Sequence, residues 1–106
     1  MSEHIVVFMT APDEQSAVQI GDAVVSEGLA ACCNILPGLR SIYMWKGEMY
    51  DEKEVLCLLK TRKGLFEELK KRILDLHSYE VPEIIAVDIK AGSRDYLNWI
   101  DQVTRS

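Results

Sequence analysis

The stretch SIYMWKGEMYDEKEVLCLLKT, residues 41–61, places the strongest constraint on how this chain of 106 residues can fold. Two extended apolar runs flank a polar turn at Lys46-Gly47-Glu48, which predicts a long antiparallel β-hairpin. An arm of about ten residues would be roughly 33 Å long at the usual rise of a β-strand. Helices of about thirteen residues reach only about 20 Å, so the hairpin should extend beyond the helices that cover it.

Large side chains lie close to this turn, and a lone chain would expose them to water. They are Tyr43, Trp45, Met49 and Tyr50. Soluble monomers rarely expose an apolar patch of that kind, and the unpaired edges of the hairpin could also bind another chain. We therefore expect copies of this protein to cover each other's hairpins in an oligomer of closed symmetry.

The segments before the turn predict a strand, a helix and a bent strand. HIVVFMT, residues 4–10, is short, apolar and β-branched, as expected of a strand. A helix should follow it, with Thr10 as its cap and Gly28 just past its end. Pro37-Gly38 interrupts the next extended run and predicts a bulge, because proline cannot donate to a sheet.

The segments after the hairpin predict two more helices and a strand. A helix is expected from about Gly64 to Leu76, and IIAVDIK, residues 84–90, is expected to be the last core strand. Ser93 should cap a final helix. The resulting order is β-α-β-β-α-β with one extra C-terminal helix. It predicts an α+β, ferredoxin-like antiparallel sheet in a single domain over residues 1–106.

Composition argues against several classes of partner and compartment. The net charge is −5, and 48% of the residues are hydrophobic. The absence of a basic stripe argues against nucleic acid and anionic membranes as partners. No apolar run approaches the roughly 20 residues of a transmembrane helix, and MSEHIVVFMTAPDE lacks the features of a signal peptide. Cys32, Cys33 and Cys57 are odd in number and sit in apolar segments, which predicts reduced, buried thiols and a cytoplasmic location.

Several segments together resemble the CutA family of divalent-cation-tolerance proteins. They are TAPDE, GLAACCNILPGLRSIYMWKGE, EVLCLLKT, YEVPEIIAVDI and DYLNWI, in the family's order and over nearly the whole chain. The resemblance implies a ferredoxin-like subunit in a homotrimer built like the PII signalling proteins, with the long hairpin running along neighbouring subunits. It also implies a role in tolerance to copper and other divalent metals, with no established catalytic activity. The implied partners are further copies of the chain and metal ions.

The resemblance also implies where a metal ion would bind. The copper ligands proposed for bacterial members are a cysteine just before TAPDE and two histidines in the later loop. In this chain Met9 stands at the cysteine position, and His77 is the histidine that remains. The thioether of Met9 suits Cu(I) better than Cu(II). The alternative for His77 is a structural role at the C-terminal end of a helix.

A second candidate site follows from the same resemblance, in the clefts between subunits where PII-like proteins bind small effectors. Its residues are Tyr43, Trp45, Lys60, Tyr79, Glu83 and Trp99. Tyr79 and Glu83 flank a proline-containing loop, which is a suitable place for a ligand at a subunit junction. The alternative is that these aromatic residues only pack the interface.

Three functions remain open at this point. The first is a cytoplasmic homotrimer that binds or responds to divalent metal ions such as copper. The second is a PII-like protein that binds a small effector, and the third is a trimeric scaffold without a ligand. An enzyme is not expected, because no nucleophile–base pair, metal–water triad or cofactor loop can be identified. Glu52 and Glu54 are expected to be solvated residues of a strand.

Overall fold

The computed structural model describes residues 3–105, which form a four-stranded antiparallel sheet and three α-helices. The elements are β1 (His4–Ala11), α1 (Glu14–Ser26), β2 (Cys32–Trp45), β3 (Glu48–Arg62), α2 (Phe66–Leu76), β4 (Ile84–Asp88) and α3 (Arg94–Val103), with a 3₁₀ turn at Lys63–Leu65 before α2. The strand order β2-β3-β1-β4 confirms the ferredoxin-like α+β fold with an extra C-terminal helix. Residues 1, 2 and 106 of the predicted domain lie outside the described residues. None of the helices within 3–105 is long and apolar enough to cross a membrane.

The core lies between one face of the sheet and the helices α1 and α2. Alternate residues of each strand point to this face, and every third or fourth residue of each helix meets them. The side chains that fill this layer include Val7, Met9, Ala17, Ile20, Val24, Val55, Cys57, Leu59, Leu69 and Ile73. Cys57 and its partly buried neighbour Cys33 are free thiols. A hydrogen bond with Cys57, together with burial, raises the pKa of the Cys33 thiol.

Two helix caps differ from the sequence prediction. Thr10 lies within β1, and α1 is capped by Asp13, whose Oδ1 accepts a hydrogen bond of 2.7 Å from the backbone N–H of Ser16. The strand continues to Ala11 and so displaces the start of the helix. Ser93 precedes α3 as predicted, but its side chain makes no capping hydrogen bond. The prediction for Gly28 is confirmed, since its φ of +73° follows the end of α1.

The hairpin of β2 and β3 is longer than predicted. Its strands have 14 and 15 residues and meet at Lys46-Gly47, where both residues have positive φ. The register shifts between Leu36 and Leu39, which confirms the predicted bulge. The chain measures 44 Å along its longest axis and 25 × 23 Å across. The hairpin therefore extends beyond the helical layer, as the strand length requires.

The last strand, β4, is not the core strand that the sequence predicted. It pairs only with β1 at the edge of the sheet, and its side chains Ile85 and Val87 are 56% and 51% exposed. They lie opposite Phe8 and Val6 of β1, on the face that points away from α1 and α2. We call this side of the sheet the open face, and it also carries the exposed Leu36 of β2. The apolar run in β4 indicated burial, but Ile85 and Val87 lie on the face opposite α1 and α2, where α3 contacts the sheet at His4, Cys32 and Arg62 and leaves these two side chains exposed.

Candidate functional site

A cavity of about 510 Å³ lies where the hairpin meets the loop between α2 and β4. It is lined by Thr10, Ser41, Ile42, Tyr43, Trp45, Tyr50, Glu54, Tyr79, Glu80, Val81 and Glu83. Four of the six predicted cleft residues line it, namely Tyr43, Trp45, Tyr79 and Glu83. A single chain therefore brings these four together, and their role in binding a ligand stays a prediction.

The register of the sheet explains why this space exists. Ala11, the last residue of β1, lies opposite Val55 of β3. Toward the turn, from Glu54 onward, β3 has no further partner from β1. The loop that follows α2 comes alongside β3 at this point and closes one side of the cavity.

The deepest polar contact of the cavity joins this loop to the hairpin. The hydroxyl of Tyr79 donates a hydrogen bond of 2.7 Å to Oε2 of Glu54, which is only 7% exposed. The expectation that Glu54 is solvated was therefore wrong, because the loop covers it, whereas Glu52 is exposed as expected. Burial raises the pKa of Tyr79, and the hydrogen bond to the Glu54 carboxylate raises it further.

Aromatic side chains of the hairpin form the opposite wall. Tyr43 and Tyr50 face each other across the two strands, and their rings stack with centroids 5.4 Å apart and an interplanar angle of 11°. The Tyr43 hydroxyl donates a 2.6 Å hydrogen bond to Oε1 of Glu52, and this bond raises the pKa of Tyr43 to about 12. The stacked pair is thus held in place from both strands.

An ammonium group of the protein itself lies beside two residues of the cavity lining, Trp45 and Glu80. Lys46 Nζ lies 5.5 Å from the centroid of the Trp45 ring and 3.3 Å from Oε1 of Glu80. Both ends of this ion pair are well exposed to solvent, so it contributes little to stability. The arrangement nevertheless shows that a carboxylate and an aromatic face converge on one cation here.

The two predicted metal ligands, Met9 and His77, both lie beside Thr10. Neither has a donor atom that is free to bind a metal ion. The side chain of Met9 is fully buried in the core. His77 Nε2 lies 2.7 Å from the carbonyl oxygen of Thr10, and Nδ1 accepts a 3.1 Å hydrogen bond from the backbone N–H of Tyr79. A carbonyl can only accept, so Nε2 is the donor and both ring nitrogens are engaged. Within residues 3–105, no three His, Cys, Asp or Glu side chains converge to hold a metal ion. The residues present do not form a preformed metal site, and the ligand role of Met9 and His77 stays a prediction.

The other two predicted cleft residues lie away from the cavity. Lys60 is opposite Cys32 at the far end of the hairpin, and its Nζ donates a hydrogen bond to Oδ1 of Asn34. Trp99, on α3, packs against Tyr96 with ring centroids 5.4 Å apart. Sequence reasoning missed Glu54 and Glu80 as cavity residues. Glu80 could have been found from its place between Tyr79 and Glu83, whereas no local signal indicates the burial of Glu54.

Comparison with known proteins gives a consistent result. The family described as CutA1 divalent ion tolerance protein matches residues 5–103. The divalent-cation tolerance protein CutA of Thermus thermophilus is 50% identical over 99 residues, which are 93% of this chain and 96% of that protein. The solved structure of the divalent cation tolerance protein from the same organism matches with a TM-score of 0.93 at 48% identity, over 96% of this chain and 99% of that one.

A plant relative contains a similar sequence within a longer protein. The chloroplastic protein CutA 1 of Oryza sativa is 41% identical over 101 residues, or 95% of this chain. The chain spans only 57% of that protein's length. The similarity to it therefore concerns the shared segment.

The contact between Tyr79 and Glu54 yields a stability prediction. We expect Tyr79→Phe to lower the free energy of unfolding at neutral pH by about 1–3 kcal/mol, because the buried Glu54 carboxylate loses its donor. Denaturant titration at fixed protein concentration measures the change. Tyr96→Phe, on α3, is the matched control and should cost less. An unchanged midpoint for Tyr79→Phe would contradict this account of the contact.

The raised pKa values of Tyr79 and Tyr43 also predict the pH dependence of stability. An unfolded tyrosine loses its proton near its ordinary pKa of about 10, while the folded protein retains both protons to higher pH. The unfolded state then binds fewer protons, so the stability of the wild type should fall as pH rises above about 10. The fall should be shallower for Tyr79→Phe, and equal slopes for the two proteins would rule out this titration as its cause.

Proposed function

This chain belongs to the CutA1 divalent ion tolerance family, and we propose that it acts in divalent-cation tolerance as a homotrimer that binds or responds to ions such as copper. The main observation in favour of an oligomer is the apolar surface that the single chain leaves exposed to water. Ile42, Met44 and Met49 of the hairpin are 64%, 62% and 71% exposed. Water-exposed apolar area of this kind marks an interaction surface.

The open face of the sheet supports the same proposal. Ile85, Val87 and Leu36 project from it and are about half exposed in the single chain. The strands β2 and β4 form the two edges of the sheet and have unpaired backbone groups. Neighbouring copies that cover the open face would bury its apolar side chains, and copies that pair with the edge strands would satisfy their backbone groups. Closed symmetry prevents growth into fibres. The number three comes from the family resemblance.

We propose that the chain is located in the cytoplasm, and we propose no catalytic reaction for it. The three cysteines are free thiols, which is the state expected in the reducing cytoplasm, and fractionation of cells that express the chain tests this location. The descriptions of the relatives name tolerance to divalent cations and do not name a reaction. We therefore assign the chain no catalytic step.

Sedimentation tests the assembly. At micromolar concentration we expect a species of about 36 kDa, three times the 12.0 kDa of one chain. Ile85→Glu should shift the distribution toward smaller species, because it places a charge on the open face. Val18→Glu, at an apolar residue of α1 that is 51% exposed, is the matched control and should leave the mass unchanged. A folded wild-type species of one chain's mass would refute the trimer.

Calorimetric titration with Cu²⁺ and Zn²⁺ tests direct metal binding. We expect the wild type to bind these ions, and if His77 is the ligand that the family resemblance implies, His77→Gln should weaken the binding by about tenfold or more, because losses of that size accompany damage to a metal site. Because both ring nitrogens of His77 are engaged in the folded chain, unchanged affinity in the variant would remove His77 from the metal site, and a wild type without affinity for either ion would contradict direct metal binding. Circular dichroism of the variant controls for its folding.

The cavity favours a second candidate function, the binding of a small effector. Its volume is within the range of small-molecule sites, and it places aromatic rings beside carboxylates. In a thermal-shift screen of metabolites, we expect a stabilising ligand whose effect is lost in Tyr79→Ala or Glu83→Ala. A screen without such a ligand would count against this function.

A further inference from the structure

The residues that line the cavity favour positively charged ligands. The described residues that line it include three carboxylates, Glu54, Glu80 and Glu83, and no Lys, Arg or His. A cavity with lining of one sign repels anions and concentrates cations. The same lining includes Trp45 and three tyrosines, whose ring faces attract cations.

The arrangement suits an organic cation better than a metal ion. Metal ions require several donor atoms at short, fixed distances, and in the described part of the chain no three acidic, histidine or cysteine side chains converge in that way. An organic ammonium needs less strict geometry, because its charge can rest against a carboxylate while its carbon chain lies along aromatic rings.

One lysine of the protein already makes the contacts that an organic ammonium would make. The ammonium of Lys46 lies near the Trp45 ring and the Glu80 carboxylate, both of which line the cavity. Lys46 lies in the turn of the hairpin and is exposed, so its side chain can leave without disturbing the core. A free amine could take its place and extend toward Glu54 at the deeper end.

We propose that this cavity binds a small organic ammonium compound, such as an aliphatic diamine, in competition with the side chain of Lys46. This inference rests on the effector-binding function proposed above and names the chemical class of the effector. The carboxylates of Glu80 and Glu54 neutralise the ammonium groups, and Trp45 covers the carbon chain.

A matched set of three probes tests the charge requirement. 1,5-Diaminopentane, 1,5-pentanediol and glutarate have the same five-carbon chain and are cationic, neutral and anionic at neutral pH. In calorimetric titrations of the full chain we expect the diamine to bind, the diol to bind at least about tenfold more weakly, and glutarate to give no signal. Equal binding of the diol, or preference for glutarate, would overturn the proposal.

Substitutions then locate the binding. Trp45→Leu should weaken diamine binding by about 3- to 30-fold, while Tyr96→Leu, at an exposed aromatic residue of α3 outside the cavity lining, should leave it unchanged. Lys46→Gln should strengthen binding, because it removes the competing ammonium and keeps the length of the side chain. Equal losses in Trp45→Leu and Tyr96→Leu, or weaker binding in Lys46→Gln, would contradict the proposed site.

The outcomes separate this inference from the function on which it rests. A neutral or anionic metabolite that stabilises the protein and loses its effect in Tyr79→Ala would uphold effector binding and overturn the ammonium class. An absence of binding by the diamine and by every screened metabolite would overturn both.

Discussion

The difference in rise between strands and helices determines most of what is distinctive in this structure. The hairpin strands have 14 and 15 residues, whereas α1 and α2 have 13 and 11. At about 3.3 Å per strand residue and about 1.5 Å per helix residue, the hairpin is more than twice as long as the helices that pack on it. Its outer part must find cover elsewhere. The loop after α2 covers one side and creates the cavity, and the rest is exposed in the single chain.

The buried carboxylate of Glu54 lies at the boundary between the part of the hairpin that packs against the helices and the part that extends beyond them. On one side of it, Val55, Cys57 and Leu59 contribute to the core, and on the other side Glu52 is exposed. A buried carboxylate without a donor is costly, so the hydroxyl of Tyr79 satisfies Glu54 and fixes the loop against the hairpin. The same contact leaves a negative charge inside the cavity, where it influences which ligands can enter.

Sequence reasoning predicted the local features well because their signals are local. The bulge follows from Pro37-Gly38, the hairpin from two apolar runs around a turn, and the end of α1 from Gly28. The features that it missed depend on distant parts of the chain. A period of two shows which side chains share a face of a strand, but not which face is covered. For this reason β4 appeared buried although Ile85 and Val87 lie on the face away from α1 and α2, and Glu54 appeared solvated although Tyr79, 25 residues away, covers it.

A metal ion at His77 and the organic ammonium proposed for the cavity would disturb this structure to very different extents. A metal ion at His77 would have to replace two hydrogen bonds that hold the end of α2 to Thr10 and Tyr79, and Met9 could assist only by leaving the core. An organic ammonium at the cavity has to replace only an exposed lysine. Because exposed ion pairs contribute little to stability, the second exchange is far less costly than the first. In this structure Met9 and His77 therefore support the fold, and the cavity beyond the end of β1 is the place where we propose that one cation replaces another at the lower cost.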